Sequence, residues 1–310
     1  VAGQQMWWTT TAIDAREGVA VPIAALESEP AFDRTGRQMA YVGTRSTHPG
    51  ELHCAAGDGA GQRRVSDHNP ALAGIALGQQ RIVRWTSTDG LPIEGVVILP
   101  PNWSRATPIP FLVSVHGGSE TAVLDAWLGD ALDFGQYVAA RGIGVLLPNY
   151  RGSTGRDLVF VKGEEGDVGG RSYDDITSGL DHLVATGLAD PNRLAIAGHS
   201  WGGLFVAWGA TGDSPRFKAA ISAAGLSDWP IHVATSQSAR HDQRAHWGSM
   251  FYESIELFLR RWPVAHAGKA TTATLILHGE RDRDVSPAQA TSLFRALKWG
   301  GAPVQLVIYP

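Results

Sequence analysis

From about Gln80 onward, short apolar runs alternate with longer stretches of helical spacing. Phe111–Val115, Gly142–Leu147, Leu194–Ala197, Ala219–Ser222 and Thr274–Leu277 are almost continuously apolar, as strands buried on both faces of a parallel sheet are. Between them, Trp127–Arg141, Tyr173–Thr186 and Leu204–Thr211 read as helices, and Pro287 at a first helical turn opens another through Leu297. Arg81–Thr86 and Ile93–Leu99 flank Asp89-Gly90, which predicts a hairpin. Val304 to Pro310 reads as a final strand. Strands alternating with helices predict an α/β fold with a doubly wound, mostly parallel sheet. Such sheets bind ligands at the carboxyl ends of their strands.

Residues 1–78 have a different rhythm and read as all-β. Ala31–Arg37 is turn chemistry, Gln38–Gly43 alternates like a strand, and Gly50–Ala55 is its expected partner before a turn at Gly57–Gly61. Strands this short bury no core alone, which suits one blade of a larger β structure. The expected division is therefore 1–78 and 79–310.

Bulk properties narrow the function. Of the 310 residues, 44% are apolar and 18% charged, the balance of a soluble globular protein. A net charge of −4 with no Lys/Arg run argues against a nucleic-acid partner. No apolar stretch approaches the roughly 18 residues of a membrane span. The start at Val1 shows no signal-peptide pattern and reads as a chain that begins in the middle of something. The single Cys54 rules out an internal disulfide and reads as packing. It leaves export open, and a cytoplasmic location is the expectation.

The chemistry concentrates at Gly198-His199-Ser200-Trp201-Gly202-Gly203, directly after the apolar run Leu194–Ala197. A Gly-x-Ser-x-Gly turn alone is weak; with a strand before it and a helix-compatible stretch behind, it makes Ser200 a candidate nucleophile. The bland alternative is a small-residue turn. A serine nucleophile needs an anion trap and a base. His116-Gly117-Gly118 after a buried strand is the trap candidate, the N–H of Trp201 would be a second donor, and His116 would orient the loop. The acid should follow the nucleophile. Asp282 is the choice in His278–Val285; Glu280 and Asp284 read as solvated or paired with Arg281 and Arg283, though spacing alone prefers none of the three.

The base should come last, yet no histidine follows His278, so it is expected beyond Pro310. His199 should point away, His182 lies within a helix, His48, His53 and His68 belong to the β segment, and His232 and His266 look isolated. His241 and His246 stand five apart, about 140° from each other on a helix. With no third ligand evident and surroundings that look solvated, neither a metal nor another cofactor is expected.

At these residues the chain resembles the prolyl oligopeptidase family of serine peptidases, in its acylaminoacyl-peptidase and dipeptidyl-aminopeptidase-like branch. The matching segments are His116–Gly118, Asn149–Gly155, Gly166–Gly170, Gly198–Gly203 and His278–Asp282, in the family's order between about Gln80 and Pro310. The resemblance implies an α/β-hydrolase fold preceded by a β-propeller, of which residues 1–78 would be the last blade. It implies Ser200 as nucleophile, Asp282 as triad acid, and Gly118 and Trp201 as oxyanion donors. Three departures stand out. The family's histidine loop after the last strand is absent, most of the propeller is absent, and Ser119 stands where the family usually has proline. The expectation is a C-terminal piece of a peptidase that cleaves short peptides near a free or acylated N-terminus, itself inactive without its base. The rivals are a carboxylesterase on the same scaffold and an inert fragment that only binds. The open end at Pro310 and the lone blade predict exposed apolar surface and association, with homo-oligomers as one form.

Overall fold

The computed structural model describes residues 30–104, 107–118, 120–129 and 134–310, and nearer the N-terminus the backbone of the short strands Thr11–Ile13, Ala20–Pro22 and Ala25–Leu26. The two strands expected early in the chain form. β1 (Gln38–Arg45) pairs antiparallel with β2 (His48–Ala56), and β3 (Arg63–Arg64) pairs with β2. Ala25–Leu26 and Ala31–Phe32 also pair with β1. Alternate residues share a strand face, so Met39, Tyr41 and Ala55 are buried together. Asp33 shapes the turn before β1: its Oδ1 accepts from the N–H groups of Arg37 at 2.8 Å and Gln38 at 3.1 Å.

The expected hairpin follows as β4 (Gln79–Thr86) and β5 (Pro92–Leu99). Its turn places Gly90 at φ +89°, a left-handed value that glycine adopts without steric cost. Strands and helices then alternate: β6 (Ile109–Val115), α1 (Gly135–Ala139), β7 (Gly144–Asn149), α2 (Arg171–Ala185), β8 (Ala189–His199) and α3 (Trp201–Thr211). After β9 (Ala219–Ala223) come three helices that the periodicity did not mark: α4 (Trp229–Thr235), α5 (Ala239–Ala245) and α6 (Ile255–Arg260). β10 (Ala273–Gly279), α7 (Pro287–Trp299) and β11 (Val304–Tyr309) complete the order.

The eight strands from β4 to β11 form one sheet in the order β11-β10-β9-β8-β6-β7-β5-β4. β6 to β11 run parallel, and the hairpin joins antiparallel through the β5–β7 pair. Both faces of its middle are covered. Val97 and Leu146 face the large core under α2 and α3, while Val96, Ile98, Val145 and Leu147 pack toward α1 on the other side. α3 is buried at almost every position, which places it at the centre of one layer. α7 starts as expected, with Pro287 in its first turn and the Ser286 side chain accepting from the Ala288 N–H. Its Ala290, Leu293 and Leu297 pack against Ile276 and Ala207.

The helix expected over Trp127–Arg141 is corrected. Among the described residues, helix is confined to Gly135–Ala139, and Trp127–Gly129 is irregular. Its backbone bonds elsewhere. The Trp127 N–H donates to Thr44 Oγ1 of β1 at 3.2 Å, and the Ala126 carbonyl accepts from Gln80 Nε2 at 2.8 Å. The segment that looked helical is thus tied across from the N-terminal sheet to the hairpin.

After β7 the chain is held by a buried ion pair. Arg151 Nε and Nη2 donate to both oxygens of Asp175 on α2, at 2.8 and 2.7 Å, and the Arg151 N–H adds a third bond to Oδ2 at 2.9 Å. The other edge of the guanidinium donates to Asp89 in the hairpin turn, at 2.8 and 3.0 Å. One arginine thereby fixes hairpin, α2 and the strand end together. These bonds hold the Asp89 carboxyl down to about 2. A depressed carboxyl contributes stability that is full above its ordinary pKa and is lost as pH falls through the depressed one. Asp89→Asn should therefore destabilise by about 1 kcal/mol, since the carboxylate is partly exposed, and the difference should vanish as pH falls from about 4 to 2. Urea unfolding of parent and variant across pH 6 to 2 measures this. A difference independent of pH would contradict the charge-based account.

Candidate active site

The elbow forms where expected. β8 ends at His199, α3 begins at Trp201, and Ser200 between them has φ 55° and ψ −118°. A non-glycine residue at positive φ costs on the order of 1–3 kcal/mol unless its surroundings impose it. Here they do. A β-carbon on Gly198 would lie 2.5 Å from the Gly202 carbonyl oxygen, and one on Gly202 would run into the Val115 carbonyl. A β-carbon on Gly203 would meet the Gly225 backbone. The Ser200 N–H donates to the Ala223 carbonyl of β9 at 2.9 Å, which pins the turn to the neighbouring strand end.

The trap candidate lies against this elbow. A β-carbon on Gly117 would stand 2.9 Å from the His199 carbonyl oxygen and 3.2 Å from Ser200 Cβ. Gly118 follows at φ +45°. Trp201 opens α3, where the first backbone N–H groups lack intrahelical partners and the helix dipole is positive. Gly118, Ser200 and Trp201 line one cleft of about 350 Å³. Ser200 also lines a larger, mostly apolar cavity of about 750 Å³, with Val123, Trp127, Leu128 and Phe134.

His116 orients the loop, as the sequence suggested. It stacks on Tyr150 with ring centroids 4.5 Å apart, and its Nε2 lies 2.9 Å from Ser153 Oγ. Its Nδ1 faces the Gly117 carbonyl at 3.1 Å and Thr121 Oγ1 at 2.9 Å. Burial pushes its pKa down to about 4, so it is neutral near pH 7. Neutral imidazole matches this pattern, with Nδ1–H donating to Gly117 and Nε2 accepting from the Ser153 hydroxyl. Tyr150 and Ser153 come from the Asn149–Gly155 segment, which the sequence marked without a role. Asn149 extends the frame, accepting from the Val123 N–H at 2.7 Å and donating to its carbonyl at 2.9 Å.

One strand, β9, separates β8 from β10, so the ends that carry Ser200 and Asp282 stand about 10 Å apart. Of the three carboxylates considered, Glu280 and Asp284 are exposed and Asp282 is half-buried. Asp284 accepts from Gln237 Nε2 at 2.6 Å. Asp282 Oδ1 accepts from the N–H groups of Asp284 and Val285, and Oδ2 lies 3.6 Å from Nε2 of the buried His278. His199 does not turn away from the glycine loop: a β-carbon on Gly117 would stand 3.6 Å from its Nδ1, and the residue lines the larger cavity with Ser200. Burial lowers its pKa, and Asp282 acts in the opposite direction.

The sequence reading separated His241 from His246, and the structure brings them together. Their ring centroids are 6.1 Å apart, because α5 ends at Ala245 and His246 caps it at φ −105°, away from the ~−63° of a regular helix. Of the surroundings that looked solvated, Arg240, His241 and Arg244 are exposed, while Asp242 is half-buried and Gln243 buried. His246 is half-buried with its ring centroid 4.6 Å from that of Trp201, and its Nδ1 lies 3.5 Å from Oε1 of the buried Glu164. Burial works to lower the His246 pKa, but Glu164 carries it above the ordinary value. His232 is not isolated either: its Nε2 lies 2.8 Å from Asp242 Oδ2. All four, His232, His241, Asp242 and His246, line the smaller cleft with Ser200. Nothing in the spacing pointed to Glu164, which meets His246 across 82 residues of chain.

Comparisons with known proteins bear on the fold and the family. Residues 133–310 match the model of the prolyl oligopeptidase family. The chain is 30% identical over 261 residues to the uncharacterized peptidase YuxL of Bacillus subtilis, covering 81% of this chain and 37% of that protein. It is 27% identical over 237 residues to the acylamino-acid-releasing enzyme of Sus scrofa, covering 71% of this chain and 30% of that one. Among solved structures, acylaminoacyl peptidase of Pyrococcus horikoshii superposes with a TM-score of 0.82 at 25% identity, over 95% of this chain and 46% of that chain. The chain thus spans about a third of the length of these curated relatives. With the matched region covering more than half of its residues, the chain belongs to the prolyl oligopeptidase family.

Proposed function

We propose that this chain carries the nucleophile, acid and oxyanion donors of a serine peptidase that hydrolyses short peptides near a free or acylated N-terminus. The observation that carries the reading is Ser200, held at φ 55° between a strand and a helix, with the Gly117-Gly118 loop packed against it. Ser200 attacks the scissile carbonyl, and the N–H groups of Gly118 and Trp201 receive the oxyanion. Asp282 orients the imidazole that shuttles the proton. That imidazole belongs, in this reading, to a histidine outside these 310 residues. Relatives named dipeptidyl-peptidase 5 and acylamino-acid-releasing enzyme support the substrate class.

The same reading takes the N-terminal antiparallel sheet as the last blade of a propeller and keeps the division at residues 78 and 79. Its support is that, among the described residues, the sheet's own apolar core is Met39, Tyr41 and Ala55, too little to stand without neighbours. Association of copies is supported by Ile308 and Tyr309 on the edge strand β11, which are 41% and 55% exposed. Among the described residues no helix is long and apolar enough to cross a membrane.

Kinetics on a form of the protein that turns over peptide tests the roles. Ser200→Ala should lower kcat on the order of 10⁶-fold on peptide amides and esters alike. A variant that keeps normal turnover of amides would overturn the peptidase reading.

Asp282→Asn should lower kcat by about 10⁴-fold, because the imidazole loses the partner that fixes its tautomer. Asp284→Asn, at an exposed carboxylate already bonded to Gln237, should cost less than about tenfold. The reverse order in steady-state rates would assign the acid to Asp284.

A further inference from the structure

His241 and Asp242 on α5 and His246 at its end bring one ligand atom each to within 4.8 Å of one another. In a tetrahedral site with bonds of about 2.1 Å, ligand atoms lie about 3.4 Å apart. Small side-chain rotations, easiest at the exposed His241, close that difference. We propose that these three residues bind one divalent transition-metal ion of the zinc class, at the cleft that Ser200 lines.

The donor set selects the class. Two imidazole nitrogens and one carboxylate oxygen suit zinc and its neighbours, and leave a fourth position open to water. Magnesium and calcium want six or more oxygens and find one carboxylate here.

The residues behind the ligands are arranged as such a site needs. A metal-binding imidazole usually gives its other nitrogen to a carboxylate, which orients the ring and raises its basicity. Glu164 stands in that position, 3.5 Å from His246 Nδ1. It is 2% exposed, and beyond this long contact with His246 neither of its oxygens has a hydrogen-bond partner among the described residues. A carboxylate left so poorly bonded in a buried place is costly by itself, and a cation centred on His246 offsets that cost. Binding through His246 Nε2 keeps this pair intact. Asp242 is held in the same manner, with His232 Nε2 and Ser238 Oγ each 2.8 Å from its Oδ2.

The ion would occupy the cleft of about 350 Å³ that also contains Gly118, Ser200 and Trp201. It would stand where a peptide engaged with Ser200 must pass, and so act as a reversible inhibitor. Inhibition rests on the serine peptidase reading; binding does not.

Calorimetric titration of the 310-residue chain with zinc chloride, in a non-chelating buffer, tests the site directly. One ion per chain is expected, and none with magnesium chloride. His241→Ala and His246→Gln should each weaken zinc binding at least 100-fold, and Glu164→Gln about 10–100-fold, as for residues that orient ligands. His48→Ala, in the N-terminal sheet, should leave it unchanged. Because His241 is exposed, its variant should keep the parent's thermal midpoint, so a loss of binding there reads the site rather than the fold. Zinc binding of equal strength in His241→Ala, or no binding at millimolar zinc, would overturn the proposal. In a form that turns over peptide, zinc should lower kcat/KM of the parent and spare His241→Ala. Zinc that binds by calorimetry yet leaves turnover unchanged would overturn the inhibition alone.

Discussion

The site depends on how closely three backbone segments approach at the elbow. The Val115 carbonyl passes where a β-carbon of Gly202 would stand, Gly225 crowds Gly203, and Gly117 lies against His199 and Ser200. Only hydrogen atoms fit at these positions. Their absence of side chains lets β6, β8 and β9 end in one place, with the Ser200 N–H bonded to the Ala223 carbonyl. The strain at Ser200 is carried by this packing. A large core under α2 and α3 supports it, and core packing is too dense to let the turn relax cheaply.

Around the elbow the polar groups divide into two kinds. On the side of the glycine loop, His116 is neutral, stacked and bonded on both ring nitrogens, so it holds geometry and carries no charge. Behind it, the Arg151 guanidinium is buried but answered by two carboxylates, which makes it a clamp. On the side of α5, by contrast, the charges sit at the cleft itself. The Asp242 carboxylate is ionised because bonds from His232 and Ser238 outweigh the burial that opposes it.

Legibility in the sequence followed the range of the forces involved. The buried strands, α2, α3 and α7 were readable because local periodicity and caps decide them. The elbow was readable because steric demands there fall on adjacent residues. The start of the Trp127–Arg141 helix was misread because the Trp127 N–H bonds Thr44, far along the chain, and Gln80 holds Ala126 just before it. α4 to α6 were missed because they are short, and contacts among Trp229, Trp247 and Phe258 join α4 to α6. The meeting of His241 and His246 was misjudged on the assumption of an unbroken helix, when α5 stops one residue before His246. Glu164 gave no local signal, since its partner arrives through tertiary structure.

The central claim is that the fold aims one hydroxyl, that of Ser200, as a nucleophile. Covalent capture tests it most directly. A preparation that hydrolyses peptides is treated with a serine-directed fluorophosphonate until activity is lost, then digested and mapped by mass spectrometry. The account predicts a single adduct, on the peptide containing Gly198–Gly203 and located at Ser200. Loss of activity with Ser200 unmodified, or an adduct on another residue, would contradict it.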